Sequence, residues 1–265
     1  MHFPKFLLIA VLPLLFVACT KDPNSSSSGD SNGPRSFCDS QNRVTNGQVC
    51  SDPSRSAVVM LALADRTGQL TSLCSGALLT SEHVLTAAHC LDRNLGTFGV
   101  FVDETGNFDF IEAAETTIHP DWISVPGNPH DIGVVRLKRP ISSREFAPLL
   151  LSKDIQKSDM LEIYGYGLDE NDEAGTLRQG RMKVNSIETD GNIFANFEDT
   201  GMNICSGDSG GPVASIGKSG IGIVGVNSAG SAFGCLERSQ ALFVGVQGGK
   251  NLDFINRLVP QVRVR

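Results

Sequence analysis

The 265-residue sequence has few aromatic residues, a modest share of charged ones and no excess of positive charge. Aromatic residues make up 6% of it, against 28 glycines, which favours short strands and turns over long helices. Lys and Arg number 22 and Asp and Glu 29, so the net charge of −7 argues against a nucleic-acid partner. It has no zinc-ligand cluster and no phosphate-cradling loop, so we expect no metal and no cofactor.

The hydrophobic content, 40% of the residues, is enough for a sizeable core in a chain of this length. Apolar stretches of four to eight residues recur between polar turns, a pattern typical of a β-barrel or β-sandwich. We predict strands over residues 57–64, 73–80, 98–102, 132–137, 160–164, 193–197, 221–226 and 241–246. Residues 251–259 have apolar side chains at three- and four-residue spacing and predict a short C-terminal helix.

The N-terminal region indicates export. Lys5 precedes an apolar run at residues 6–18 that is too short to cross a ~30 Å bilayer core, so residues 1–18 fit a signal peptide. The run ends at Ala18-Cys19, which resembles the lipobox of bacterial lipoproteins, in which the cysteine is lipidated. Residues 20–35 are polar and fit a flexible tether. The alternative is ordinary signal cleavage near Ala18, which leaves a secreted protein with an incidental thiol.

Three separate segments carry residues suited to acyl transfer. Ser209 lies among glycines in Cys205-Ser-Gly-Asp-Ser-Gly-Gly-Pro212, where a tight turn can expose a nucleophilic hydroxyl. His89, flanked by small residues, can act as its base. Asp131, at the head of an apolar stretch, can orient the imidazole and stabilise its cation.

The motifs AAHC, DIGVVRL and GDSGGP stand in this order, and the chain from residue 43 onward resembles the chymotrypsin/trypsin-like serine proteases. The resemblance implies an all-β fold of two packed six-stranded antiparallel β-barrels with a short C-terminal helix. It also implies Ser209 as nucleophile, His89 as base and acid, Asp131 as orienting carboxylate, and the amides of Gly207 and Ser209 as the oxyanion hole. Its substrates would be proteins or peptides. The alternative is a catalytically inactive homologue that serves as a binding module.

Arg43-Val44 resembles the activation site of this family, in which a newly freed N-terminus pairs with the aspartate before the nucleophile, here Asp208. The resemblance implies a zymogen made of residues 19–43 as tether and propeptide and residues 44–265 as protease domain. A plain loop at the start of the domain is the alternative. An activating protease is then an expected partner, and we expect the enzyme to be a monomer.

The seven cysteines give an odd count in a chain expected to be exported. Family resemblance implies disulfides Cys74–Cys90, beside the histidine, and Cys205–Cys235, around the nucleophile loop. Cys38 and Cys50 remain on either side of the activation bond and pair by elimination, although sequence alone does not decide the connectivity. Cys19 is left as the lipidation site, which predicts a bacterial outer-membrane lipoprotein facing the periplasm or the medium.

The specificity pocket resembles the family's less closely. Asn203 stands six residues before Ser209, where family members that cleave after Arg or Lys have an aspartate. An unpaired cationic side chain would be costly to desolvate there, so no strong trypsin-like preference is expected. The resemblance places the walls of the pocket at Ser228, Gly230 and Ala241. An enzyme of this specificity would cut its own Arg43–Val44 bond poorly.

Overall fold

The computed structural model describes residues 36–38, 47–65, 67–92, 96–103, 105–125, 127–141, 144–200, 202–230 and 240–265, hereafter the described residues. Cys19, Arg43, Val44 and Cys235 lie outside them. None of the helices in this part of the chain is both long and apolar enough to cross a membrane.

The N-terminal half forms a closed antiparallel barrel, barrel 1, from β2 (Val58–Ala64), β3 (Leu70–Leu78), β4 (His83–Thr86), β5 (Gly96–Val102), β6 (Phe108–Ile118) and β7 (Gly133–Leu137). The strand order around the barrel is β2-β3-β4-β7-β6-β5. Every residue of β2 is buried, whereas most of β6 is exposed or half-buried. In barrel 1, β2 therefore belongs to the core, whereas β6 faces the solvent along most of its length.

The C-terminal half forms a second six-stranded barrel, barrel 2, which is closed by pairing of its first two strands. Its strands are β8 (Met160–Gly165), β9 (Arg178–Ile187), β10 (Asn192–Asn196), β11 (Pro212–Gly217), β12 (Gly220–Gly230) and β13 (Gln240–Gly245). A short strand β1 (Gln48–Val49), just after the predicted activation bond, pairs with β9. Helix α1 (Gly249–Leu258) follows barrel 2 and buries Phe254 and Ile255.

The predicted fold class is confirmed: two closed six-stranded antiparallel barrels and one short C-terminal helix. All eight strands expected from apolar stretches are present within a few residues of their predicted bounds. The pattern missed β1, β4, β6, β9 and β11. Strand β6 was missed because its sequence is largely polar and only Ile111 of its 11 residues is buried.

Candidate active site

His89 and Asp131 are brought together by the pairing of β4 with β7. Thr86 at the end of β4 is directly opposite Gly133 at the start of β7, so the residues beyond these ends leave barrel 1 side by side. His89 lies in a 3-10 turn after β4 (Ala88–Cys90). Asp131 lies two residues before the start of β7 at Gly133.

The Asp131 carboxylate fixes both the ring and the backbone of His89. Its Oδ2 is 2.7 Å from His89 Nδ1, and its Oδ1 accepts a hydrogen bond from the His89 amide at 2.9 Å. The Asp131 side chain is 6% exposed and that of His89 is 37% exposed. The carboxylate is thus shielded from water, while the imidazole reaches the surface.

Ser228, predicted as a wall residue of the specificity pocket, lies near the end of β12 and donates a hydrogen bond from Oγ to Asp131 Oδ2 at 2.6 Å. Burial raises the pKa of Asp131, but the hydrogen bonds from His89 and Ser228 and the attraction to His89 outweigh it and hold the pKa below its usual range. Asp131 is therefore an anion at neutral pH. Sequence reasoning missed this contact, because it joins residues 97 positions apart.

The loop that carries Ser209 is shaped by glycines. Gly207 has φ +99° and Gly210 has φ +82°, backbone conformations that L side chains rarely adopt. A Cβ on Gly210 would lie 2.4 Å from the carbonyl oxygen of Ser75 and 2.9 Å from the amide nitrogen of Ala87. The Ser209 loop therefore packs directly on the segment that leads to His89.

The amides in this loop divide into two sets. Those of Asp208, Gly210 and Gly211 donate to carbonyl oxygens of the protein. Among the described residues, the amides of Gly207 and Ser209 donate to no protein oxygen. Two neighbouring unpaired N–H groups are what an oxyanion hole requires.

Ser75 joins the two barrels at this point. It lies on β3 of barrel 1, and its amide donates to the Ser209 carbonyl at 2.7 Å. Its hydroxyl donates to the Gly207 carbonyl at 2.8 Å and accepts from the Tyr166 amide at 3.0 Å. Ser75 could not be identified from the sequence, because a serine within a strand has no distinctive pattern.

Asp208 turns away from Ser209 into barrel 2. Its Oδ1 accepts from the Gly167 amide and its Oδ2 from the Cys205 amide, each at 2.8 Å. Burial raises its pKa to about 6, although these hydrogen bonds and the charge of Arg178 act in the opposite direction. Asp208 lines a cavity of about 260 Å³ together with Gly47, Gly165, Arg178 and Asn203.

Gly165→Ala is expected to displace Asp208. The added Cβ would lie 2.0 Å from Asp208 Oδ1 and 3.0 Å from its Cα, so backbone would have to move. We expect a loss of about 1–3 kcal/mol in the free energy of unfolding, typical of overpacking, measured by urea denaturation. The matched control is Gly96→Ala at an exposed strand position, where the nearest atom to the added Cβ would lie at an ordinary contact distance of 3.6 Å. Equal stability of the two variants would contradict this packing.

Two complete disulfides lie within the described residues, Cys74–Cys90 and Cys38–Cys50. The first attaches the His89 turn to β3. Cys205 is also disulfide-bonded, and its expected partner Cys235 lies outside the described residues. Disulfides of this kind are typical of exported proteins.

The predicted specificity residues lie on two neighbouring parts of barrel 2. Gly230 of β12 and Ala241 of β13 are cross-strand partners. The Gly230 Cα faces the segment after Asn203, since a Cβ there would lie 3.9 Å from the Ile204 carbonyl oxygen. Residues 231–239, which connect the two strands, are outside the described residues.

Comparisons with known proteins place this two-barrel fold within a family. The Trypsin family model matches residues 44–253. The chain is 32% identical over 182 residues to brachyurin of Leptuca pugilator, covering 61% of this chain and 77% of that protein. It is 26% identical over 217 residues to ovochymase of Halocynthia roretzi and 25% identical over 224 residues to serine protease 7 of Drosophila melanogaster.

The matches to ovochymase and serine protease 7 cover 73% and 68% of this chain, but the chain spans only 14% and 56% of those two proteins. The architecture is that of a two-barrel serine protease. The chain belongs to the trypsin family.

Proposed function

We propose that the protein is a serine endopeptidase that cleaves proteins or peptides with Ser209, His89 and Asp131. The observation that carries the proposal is the buried Asp131 carboxylate, which holds the ring of a half-exposed His89 at 2.7 Å beside the Ser209 loop. A carboxylate on Nδ1 keeps the proton there and leaves Nε2 free to accept one.

In the proposed reaction, Ser209 Oγ attacks the peptide carbonyl carbon and its proton moves to His89 Nε2. The amides of Gly207 and Ser209 stabilise the resulting oxyanion. The C–N bond then breaks, His89 gives its proton to the leaving amine, and the acyl group stays on Ser209. Water attacks this ester with His89 again as base, which releases the acid and restores Ser209.

A fluorophosphonate probe separates an active enzyme from an inactive homologue. The protein cleaved after Arg43 is expected to be labelled, and the cleaved Ser209→Ala variant is not. Absence of labelling in a correctly folded, cleaved sample would favour the inactive homologue.

We further propose that cleavage after Arg43 activates the enzyme through insertion of the Val44 amino group beside Asp208. The cavity next to Asp208 supports this, because Gly47, three residues after Val44, lines it. Burial of the Asp208 carboxylate as an anion costs free energy unless a positive charge lies next to it. The ammonium group of Val44 would supply that charge. Cys38–Cys50 would keep the propeptide attached after the cut.

The uncleaved precursor is expected to lose stability as the pH rises from about 4 to about 6. The folded precursor holds the Asp208 proton up to pH about 6, whereas an unfolded chain releases it near pH 4, so ionisation of Asp208 disfavours folding in this window. The difference in free energy of unfolding between Asp208→Asn and the parent, both carrying Arg43→Gln, should grow across this window and level off above it. Urea denaturation at several pH values measures it, and a difference independent of pH would contradict the assignment.

For specificity we propose a neutral pocket, with Asn203 at its floor, that prefers medium apolar or small polar side chains. A different protease would then perform the cut after Arg43. Cleavage profiling with a peptide library tests this, and dominant cleavage after Arg or Lys would contradict it.

We propose export by the signal peptide at residues 1–18 and anchoring to a bacterial outer membrane through lipidated Cys19. The polar composition of residues 20–35 supports a tether between anchor and protease. The mass of the mature N-terminal peptide tests the anchor: we expect a lipidated Cys19, and an unmodified peptide that begins downstream of it would contradict the proposal.

A further inference from the structure

Residues Ser36–Cys38, which precede the predicted activation bond, pack closely against the protease domain. We call these three residues the docked pro-segment. Phe37 is 7% exposed and Cys38 is 3% exposed. Ser36 Oγ donates to Gln179 Oε1 at 2.6 Å, and the Phe37 amide donates to Tyr164 Oη at 3.2 Å. The rings of Phe37 and Tyr164 lie 5.4 Å apart. A segment that only connected a tether to the enzyme would have no need of these contacts.

The docked pro-segment contacts both halves of the fold. The Phe37 carbonyl accepts a hydrogen bond at 2.7 Å from Ser56, two residues before β2 of barrel 1. Tyr164 and Gln179 are cross-strand partners on β8 and β9 of barrel 2. The docked pro-segment therefore contacts both the residues that lead into β2 of barrel 1 and one cross-strand residue pair of barrel 2.

Tyr164 is also connected to the Asp208 loop through the side chain of Asn227. Its carbonyl accepts from Asn227 Nδ2 at 3.1 Å, and the same nitrogen donates to the Asp208 carbonyl at 3.2 Å. The next residue, Gly165, contacts the Asp208 carboxylate so closely that a Cβ would not fit. A shift of Tyr164 would thus move Asp208, the residue before Ser209.

The hydroxyl of Tyr164 depends on the segment as well. It donates to the buried carboxylate of Glu162 at 2.6 Å and accepts from the Phe37 amide at 3.2 Å. Phe37→Ala would keep this backbone amide but remove the ring that packs on Tyr164, which would open the Tyr164 ring to water. The position of the end of β8 is therefore set in part by residues that precede the protease domain.

We propose that the docked pro-segment stays seated after cleavage and positions the Asp208 loop through Tyr164, so that Phe37 is a positioning residue for catalysis. This inference rests on the proposed protease function. The Cys38–Cys50 disulfide gives the segment a high effective concentration at its docking site once the Arg43–Val44 bond is broken. In this view the propeptide becomes a lasting part of the active enzyme.

The first test is Phe37→Ala in the full chain with the disulfide intact, cleaved after Arg43 and assayed well below its melting temperature. We expect kcat to fall by about 10-fold, within the range typical of coupling between sites, with KM nearly unchanged. The matched control is Phe108→Ala, which removes a phenylalanine that is 58% exposed in barrel 1. A purely structural role would lower the melting temperature and leave kcat at the control value, and this result would overturn the proposal.

The second test releases the segment. The Cys38→Ser/Cys50→Ser chain is cleaved after Arg43, gel-filtered, and assayed with and without a synthetic peptide of residues 31–43. We expect a low kcat that the peptide restores and that the same peptide with Phe37→Ala does not. Full activity without peptide would overturn the proposal, and if this chain does not fold, the Phe37→Ala result decides.

The two proposals fail in different ways. If neither the cleaved wild-type protein nor Phe108→Ala hydrolyses peptides, the protease function itself is wrong. If both are active and Phe37→Ala equals them, only the positioning role is wrong.

Discussion

Ser209→Ala is expected to lower kcat for peptide hydrolysis by about 10⁶-fold, the loss seen when the nucleophile of a characterised serine protease is removed. Without Oγ no acyl-enzyme can form, and only binding and the amides of Gly207 and Ser209 remain to assist attack by water. The measurement is a progress curve with a fluorogenic peptide and protein cleaved after Arg43.

Ser152→Ala is the matched control, because it makes the same chemical change at an exposed serine away from the site. Its kcat should equal that of the wild type. Retention of more than a small fraction of wild-type activity by Ser209→Ala would assign the nucleophile to another residue.

Asp131→Asn is expected to lower kcat by about 10⁴-fold with little change in KM. An amide can donate a hydrogen bond to His89 Nδ1, which would place the ring proton on Nε2, the atom that must accept the proton of Ser209. The substitution also removes the negative charge that stabilises a cationic His89. Geometry would be nearly retained, so the loss would be a loss of chemistry rather than of folding.

Asp121→Asn is the control for this change, since Asp121 forms an ion pair with Lys250 at the surface. Such exposed pairs contribute little to stability, and the variant should keep wild-type kcat and fold. An Asp131→Asn enzyme within about 10-fold of wild type would show that the carboxylate does not orient a catalytic histidine.

The sequence was sufficient to name the triad candidates because each stands in a short local motif. The same motif also predicts the tight turn around Ser209, and the positive φ angles of Gly207 and Gly210 agree with it. The two-barrel fold was predictable from the same motifs together with the short apolar stretches. What the resemblance implied for Cys74 and Cys90 agrees with the disulfide in the structure.

The supporting contacts could not be predicted, because they join residues that are distant in the chain and have no pattern of their own. Ser75 meets the nucleophile loop across 132 positions, and Ser36 meets Tyr164 across 128. Strand β9 carries polar and charged residues at several positions, so apolar periodicity did not reveal it. These contacts follow from how the barrels pack, which only three-dimensional coordinates record.

The location of the covalent adduct tests the proposed nucleophile most directly. The protein cleaved after Arg43 is treated with a fluorophosphonate, digested, and its peptides are weighed by mass spectrometry. We expect one phosphonyl group, on Ser209, and none on the uncleaved Arg43→Gln precursor treated in the same way. An adduct on any other residue, or an unmodified Ser209 in a folded and cleaved sample, would contradict this assignment.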